Sequence, residues 1–200
     1  MTPPCFVPAL RAIDDALRKT EGSLLVAVDG RCAAGKTTFA ALCAQVFPDC
    51  NIFHMDDFFL PPEKRTPERL AAPGGNVDYE RAEAQLFVPL SRGETVTFSR
   101  FDCASGTLEP PKVFPPRRLS IVEGSYSHHP VLAPYSGLKL FLTCSAAAQL
   151  ARLARRAPEK LADFQAKWIP MEENYFKAFD IEAQCDLAVD TTALTEEENP

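Results

Sequence analysis

The segment best equipped for chemistry runs from Gly30 to Thr37 and reads Gly-Arg-Cys-Ala-Ala-Gly-Lys-Thr. It fits the pattern G-x-x-x-x-G-K-[ST] at every required position, after a short apolar run and before an Ala-rich stretch. Backbone N–H groups of such a loop converge on phosphate oxygens at the positive end of the following helix. The residues predicted to bind a nucleoside triphosphate are Gly30, Arg31, Cys32, Ala33, Ala34, Gly35, Lys36, Thr37 and Thr38.

Two acidic positions join Lys36 and Thr37 of the loop in a candidate phosphoryl-transfer site. Lys36 is expected to neutralise the outer phosphates, and the Thr37 hydroxyl is expected to ligate Mg²⁺. Glu123 ends an apolar run and can hold Mg²⁺ through its water. Asp56, with Asp57 beside it, follows another apolar run, where a carboxylate can accept the proton of an attacking hydroxyl. The alternative for Asp56-Asp57 is a solvated turn that carries two acids. The alternative for Glu123 is a plain strand-end carboxylate, and the presence of the phosphate-binding loop favours the magnesium role over it.

Three arginines, Arg152, Arg155 and Arg156, share one face of a predicted helix that Ser145 caps. The opposite face is predicted to be apolar and comprises Ala147, Leu150, Leu153 and Ala154. A basic helix face is often merely solvated. Three arginines without an intervening acid, in an acidic protein, suit anionic phosphates better. We therefore predict a lid over about 152–165 that closes over the transferred group.

Apolar runs alternate with amphipathic segments along the chain, which predicts strands alternating with helices. The fold class expected is α/β: a P-loop NTPase fold with a five-stranded, mostly parallel sheet covered by helices on both faces. The predicted strands are 24–28, 51–55, 120–123, 138–143 and 186–190. The predicted helices are 8–20, 36–47, 78–92 with Asp78 at its N-cap, 145–156 and about 159–179.

Two segments interrupt this alternation. Residues 60–77 contain four prolines and two adjacent glycines, and a loop of that length is usually functional. Residues 94–118 predict a small β-hairpin insert with its turn near Ser105-Gly106. The whole chain, 1–200, is interpreted as a single domain of ordinary size, with an acidic tail over 193–200.

Composition narrows the functional classes. The 200 residues carry a net charge of −6, which disfavours a general nucleic-acid binder. The apolar runs are too short to span a bilayer and no secretory signal is evident, so a cytoplasmic protein without membrane association is expected. Seven cysteines without a C-x-x-C pair predict reduced thiols. Cys32 is interpreted mainly as a small residue at a variable loop position, with a reactive thiol as the alternative.

One pair of histidines and one group of aromatic residues are expected to be mainly structural. His128-His129, beside Tyr126, lacks further ligands at zinc spacing, so local capping or contact with the edge of a substrate is expected. The aromatic and apolar residues of the last long helix are predicted to lie mainly in the core: Phe164, Trp168, Met171, Tyr175 and Phe179.

With these motifs in place, the sequence resembles the uridine kinase-like family of P-loop kinases, related to phosphoribulokinase and bacterial pantothenate kinase. The resemblance rests on VAVDGRCAAGKTT, the run from HMDDFF to NVDYER, FDC, VEGSYSHHP and KWIPMEENYF, and spans about Val26 to Asp190. It implies ATP- and Mg²⁺-dependent phosphorylation of a nucleoside 5′-hydroxyl of the uridine or cytidine type. Relatives form homo-oligomers, so a homo-oligomer is possible here.

The resemblance also implies roles for individual residues. Asp56 matches the family's base, Asp78 its ribose-binding aspartate, and Arg152 to Arg156 its lid. The residues assigned to acceptor binding are Asp56, Phe59, Asp78, Phe101 and Tyr126. The sequence also departs from the family, because phenylalanines replace two pocket tyrosines and no histidine lies near Gly106 to contact a pyrimidine.

Three alternatives remain open at the level of sequence. One keeps the chemistry and changes the acceptor to pantothenate, a sugar phosphate or another alcohol. Another is a regulatory module that binds nucleotide without an acceptor. The last is an NTPase that orients water, although no glutamine or second catalytic acid is evident for that task.

Overall fold

The computed structural model describes residues 2–195, within which the chain forms nine strands. In chain order these are β1 Leu24–Gly30, β2 Cys50–His54, β3 Val96–Phe98, β4 Phe101–Asp102, β5 Thr107–Leu108, β6 Lys112–Phe114, β7 Leu119–Glu123, β8 Leu138–Thr143 and β9 Leu187–Asp190. Five of them form one parallel sheet in the order β2-β7-β1-β8-β9. The α/β prediction is confirmed, and the sheet is entirely parallel.

Six longer helical elements accompany the strands in the described part of the chain. They are α1 Val7–Lys19, α2 Lys36–Val46, α3 Pro67–Ala71, α4 (Tyr79–Ala82, the π-helical Glu83–Phe87 and Val88–Ser91), α5 Ala146–Arg156, and α6 (Leu161–Asp163, the π-helical Phe164–Trp168 and Ile169–Ala178). As predicted, the side chain of Asp78 caps α4 and that of Ser145 caps α5, each by accepting a backbone N–H. The sequence pattern did not indicate the two π-helical turns.

The sheet separates two apolar cores. Val26 and Val28 of β1 face a core built with α1 and α2, whereas Leu25 faces a core built with α4 and α6. This alternation follows from the two-residue period of a strand, so a strand covered on both faces must be apolar throughout. With both faces covered by helices, the carboxyl-terminal edge of the sheet is where a ligand can bind.

The two segments that interrupt the alternation are both ordered by specific contacts. The hairpin consists of β3 paired with β6 and of β4 paired with β5, both antiparallel. Segment 60–77 contains a 3-10 turn at Pro62–Lys64 and helix α3. Arg69 of α3 donates to the carbonyl oxygens of Gly75 and Val77, at 3.0 Å and 2.9 Å. A Cβ on Gly75 would lie 1.7 Å from the Arg69 carbonyl oxygen, so only glycine fits there.

Some predictions lie at the limits of the described residues. The predicted acidic tail falls largely on 196–200, outside them. In the described part of the chain, no helix combines the length and the apolar character needed to cross a membrane. None of the seven cysteines, all of which lie within residues 2–195, forms a disulfide bond.

Candidate active site

The predicted phosphate-binding loop connects β1 to α2 at the carboxyl-terminal edge of the sheet. Gly30 has φ 136°, and a Cβ there would lie 1.9 Å from the Leu142 carbonyl oxygen. Gly35 precedes α2 with φ 83°. Both glycines are therefore required by the path of the backbone. The loop borders a cleft of about 1990 Å³. The predicted nucleotide-binding residues that line this cleft are Cys32, Ala33, Gly35, Lys36, Thr37 and Thr38, whereas Gly30, Arg31 and Ala34 do not line it.

Lys36 lies largely buried at the base of the loop. Its ammonium group donates to the carbonyl oxygens of Gly30 at 2.6 Å and Arg31 at 2.9 Å, and lies 3.4 Å from the Ser125 hydroxyl. These contacts hold a positive charge within the curve of the loop. A bound phosphate oxygen can replace these neutral carbonyl acceptors, because the ammonium group binds a negatively charged acceptor more strongly than a neutral one.

Thr37 and Glu123 converge beside the loop, as predicted for a magnesium site. The Thr37 hydroxyl donates to Glu123 Oε1 at 3.1 Å, and Glu123 is buried. A hydroxyl and a carboxylate are the oxygen ligands that Mg²⁺ takes in P-loop proteins, so the donor set fits this ion. No cluster of three or more His, Cys, Asp or Glu ligands occurs among residues 2–195. A metal ion at this position would therefore take its remaining ligands from phosphate and water.

His54 belongs to this group and was missed at the level of sequence. Its Nδ1 lies 2.6 Å from Glu123 Oε1. That hydrogen bond raises the pKa of His54. The signal that could have found it is strand register, because His54 and Glu123 are paired residues at the ends of β2 and β7.

Asp56 and Asp57 occupy one 3-10 turn, Met55–Phe58, yet face different surroundings. Asp56 lines the cleft, and burial, reinforced by Glu123, raises its pKa. Asp57 instead lies 3.2 Å from the guanidinium of Arg100. Loss of hydration raises the pKa of Asp57 as well, so the pKa does not distinguish the two carboxylates. Asp56 lines the cleft and Asp57 does not, so Asp56 is the one placed to accept a proton from an acceptor hydroxyl.

Two glutamates of α6 contact the phosphate-binding loop from the opposite side. Glu172 accepts hydrogen bonds from the Cys32 N–H at 3.0 Å and the Ser125 hydroxyl at 2.6 Å. Glu173 forms an ion pair with Arg31 at 2.6 Å. Burial, together with Glu172, raises the pKa of Cys32 to about 12. The Cys32 thiol is therefore protonated at neutral pH, which supports its interpretation as a small loop residue.

The three arginines of α5 all line the cleft but differ in their surroundings. Arg152 donates to the carbonyl oxygens of Ala33 at 3.2 Å and Thr191 at 2.6 Å. It thus fastens the phosphate-binding loop to the chain after β9, which differs from the mobile role expected for it. The buried face of α5 also differs from prediction: Gln149 and Leu153 are buried, whereas Ala147 and Ala154 are exposed.

Some of the residues predicted to bind the acceptor line the cleft, and others do not. Phe59 and Tyr126 line it. Asp78 is buried outside the lining, where it caps α4 and accepts from Lys64 at 2.9 Å. Phe101 is buried in the hairpin and likewise does not line the cleft. Side-chain pairing holds Asp78, and hairpin packing holds Phe101, outside the lining, although the Phe101 ring lies 5.9 Å from the Arg65 Cζ. Their roles in acceptor binding stay predictions.

Three cleft residues at this end were not singled out from the sequence: Arg65, Asn76 and Cys103. They come from segment 60–77 and from the hairpin loop. The hydrophobic pattern of these two segments is too irregular to predict which side chains face the cleft. We call Asp56, Arg65, Asn76, Cys103 and Tyr126 the acceptor end of the cleft.

The histidine and aromatic clusters are mainly structural. His128 and His129 are buried and do not line the cleft. Asp29, fully buried, accepts from the Tyr126 and His128 N–H groups and from the Tyr175 hydroxyl, at 2.8–3.1 Å. The prediction that Trp168 lies in the core is wrong: it is 36% exposed and lines the cleft, as do Phe164 and Met171.

Comparisons with known proteins agree with this architecture. No protein-family model and no curated protein sequence matches the chain. Among solved structures, one provisionally assigned as a fructose transport system kinase from Silicibacter sp. TM1040 is 25% identical, with TM-score 0.66, covering 94% of this chain and 98% of that one. A possible uridine kinase from Bacillus stearothermophilus is 19% identical, with TM-score 0.64, covering 90% and 100%.

A third solved structure extends the same likeness. Phosphoribulokinase from Rhodobacter spheroides is 13% identical, with TM-score 0.61, over 86% of this chain and 71% of that one. The chain therefore has the fold of the uridine kinase-like P-loop kinases, as its sequence motifs predict.

Proposed function

We propose that the protein is an ATP-dependent kinase that transfers the γ-phosphoryl group to a hydroxyl of a small molecule. The observation that carries this proposal is the joint lining of one cleft by Lys36, the Thr37–Glu123 pair and Asp56. A nucleotide sensor needs only the first two. The Asp56 carboxylate, whose pKa is raised and which faces the same space, supplies what a second substrate requires.

Each step of the transfer has a residue on this chain. The loop amides and Lys36 bind the phosphates, and Thr37 and Glu123 would hold Mg²⁺, whose charge shields the phosphate oxygens. The acceptor oxygen forms a bond to the γ-phosphorus as the bond from that phosphorus to the bridging oxygen of ADP breaks. Asp56 takes the hydroxyl proton. Arg155 and Arg156, which line the cleft, stabilise the charge on the moving group.

The family resemblance adds a finer expectation, a nucleoside 5′-hydroxyl as the acceptor. The named kinases of this fold act on different alcohols, among them a possible uridine kinase, D-glycerate 3-kinase from Cryptococcus neoformans and phosphoribulokinase. Asp78 and Phe101, expected to contact a nucleoside, do not line the cleft. The function is therefore proposed at the level of a small-molecule hydroxyl. Cytoplasmic location and homo-oligomerisation remain predictions.

Asp56→Asn tests this function, with the adjacent Asp57→Asn as its matched control. We expect D56N to lower kcat about 10²- to 10⁴-fold in an acceptor-dependent ADP-release assay, because the general base is lost. Its affinity for ATP, measured by calorimetry, should not change. D57N removes an ion pair with Arg100 in which the Arg100 side chain is 56% exposed and the Asp57 side chain 15% exposed. Because Asp57 does not line the cleft, the turnover of D57N should stay near wild type. Full activity of D56N on the best acceptor would contradict the assignment.

A further inference from the structure

Arg65 presents an exposed guanidinium at the acceptor end of the cleft, with its Cζ 5.9 Å from the centre of the Phe101 ring. Segment 60–77 contains three basic residues. Lys64 forms an ion pair with Asp78 at 2.9 Å, and Arg69 forms one with Glu80 at 2.7 Å. Arg65 uses its Nε to hold the Leu60 carbonyl oxygen at 2.7 Å. Its two terminal nitrogens make no hydrogen bond or ion pair with any residue in the described range 2–195.

The free guanidinium and the proposed base flank the same side chain. Cys103, at the tip of the hairpin, lines the cleft with both Arg65 and Asp56. Arg65 lowers the pKa of the Cys103 thiol and Asp56 raises it, although burial has the largest effect. Both charges are therefore near this thiol. A molecule bound between them would present a hydroxyl to one and a negative group to the other.

Asn76 supplies a second, independent sign of a ligand. Its side chain lines the cleft and is 8% exposed, and its amide group lies within hydrogen-bonding reach of the Tyr126 hydroxyl. Its Oδ1 is buried and has no hydrogen-bond partner among residues 2–195. A buried, unpaired acceptor is costly and calls for an external donor. The position is rigid, because Arg69 holds the carbonyl groups of Gly75 and Val77 on either side of it. A substrate hydroxyl is a suitable donor to this oxygen.

We propose that the acceptor is a small alcohol carrying an anionic group, either a carboxylate or a phosphate monoester, which Arg65 binds through its free terminal nitrogens. Asn76 accepts a hydrogen bond from a hydroxyl of this molecule, and Asp56 receives the proton of the hydroxyl that is phosphorylated. An uncharged nucleoside would leave the guanidinium without a counter-charge. This inference rests on the proposed phosphoryl transfer and specifies its substrate class.

Pairs of one charged and one neutral compound test whether the acceptor carries an anionic group. They also distinguish a carboxylate from a phosphate monoester. D-glycerate is compared with glycerol, ribose 5-phosphate with ribose, and uridine serves as the neutral nucleoside. ADP release measures turnover, and calorimetry with a non-hydrolysable ATP analogue present measures binding. We expect one anionic probe to exceed its neutral counterpart and uridine in kcat/KM by about tenfold or more, as a charge-assisted contact provides. The pair that shows the larger difference in kcat/KM identifies the anionic group as a carboxylate or a phosphate.

Three variants then show whether Arg65 recognises that group. Arg65→Gln should lower kcat/KM for the anionic probe about 10- to 100-fold, mainly through KM, and leave the neutral counterpart unchanged. Arg65→Lys keeps the charge but loses the contact with Leu60, and should retain most activity. Arg92→Gln, at an exposed arginine outside the cleft, should match wild type.

Four results would overturn the inference: a neutral probe or uridine as the best acceptor, an equal loss in R65K and R65Q, an unchanged R65Q, or no anionic probe binding or reacting. Failure of the proposed function looks different. In that case an anionic probe binds in an Arg65-dependent manner but releases no ADP, and the anion site stands without the kinase activity.

Discussion

The two ends of the cleft are built in different ways. The nucleotide end is made where regular elements terminate: β1 leads into the phosphate-binding loop, α2 begins at Lys36, and β7 ends at Glu123. The acceptor end is made from segment 60–77 and the hairpin, and Arg69 holds its loop in place. The proposed phosphate-binding residues lie where strands and helices end at the edge of the sheet. The residues proposed to select the acceptor lie in loops, whose positions depend on side-chain contacts between them.

Lys36→Ala should have the largest effect, because it removes the charge on which the nucleotide end depends. We expect turnover to fall by about 10³-fold or more, since phosphate-charge stabilisation is lost in the transition state. Initial-rate ADP release measures this. Lys19→Ala, at the end of α1 and outside the cleft, is the control and should behave as wild type. Appreciable turnover by K36A would show that the loop does not hold the reacting phosphates.

Glu123→Gln should reduce the activity less, by about 10²-fold, because Thr37 still offers its hydroxyl. The substitution removes the negative charge that faces Thr37 and His54. We expect the Mg²⁺ concentration for half-maximal rate to rise, and added Mg²⁺ to restore part of the loss. Rates measured across a magnesium titration test this. A uniform drop in rate without a change in magnesium dependence would contradict a metal-binding role.

Arg69→Ala should weaken binding at the acceptor end of the cleft and leave the nucleotide end unaffected. Loss of its hydrogen bonds to the carbonyls of Gly75 and Val77 should loosen the loop that carries Asn76. We expect the KM for the acceptor to rise about tenfold while the affinity for ATP stays unchanged. Steady-state kinetics and calorimetry give the two quantities, and Arg92→Ala is the matched control. An equal loss at both substrates would show that the two ends are not independent.

His129 should make the smallest contribution, and only to stability in acid. Burial, followed by repulsion from Arg69, lowers its pKa from 6.5 to about 4. The unfolded chain therefore binds this proton first, so the free energy of unfolding falls as the pH drops from 6.5 to about 4.

His129→Phe keeps the stacking on Tyr79, where the ring centroids are 4.0 Å apart, but cannot titrate. Urea unfolding of both proteins should therefore show the stability of wild type declining relative to H129F as the pH falls through this range. A difference between the two proteins that is independent of pH would contradict the account.

The nucleotide end could be predicted from the sequence because its determinants are local. Gly30 and Gly35 mark the turn, and the caps at Asp78 and Ser145 follow from the residues directly around them. Strand register was not predicted, which is why His54 was missed beside Glu123.

Other parts of the site could not be predicted, because their contacts join distant positions or depend on which partner a side chain selects. Glu172 reaches Cys32 across 140 positions, a contact for which the sequence carries no periodic signal. Asp78 is a carboxylate of the expected type, yet Lys64 and the helix cap hold it outside the lining. Trp168 has a core-like composition but lines the cleft, since a binding site also needs apolar surface.

The fate of the γ-phosphoryl group tests the central claim most directly. ATP labelled at the γ-phosphorus is incubated with the wild-type protein, Mg²⁺ and the paired acceptor probes, and the labelled products are separated. The account predicts label in an ester of the organic acceptor, and none in K36A. Label found only in inorganic phosphate, or ATP bound without any turnover, would contradict a kinase and indicate an NTPase or a nucleotide-binding module instead.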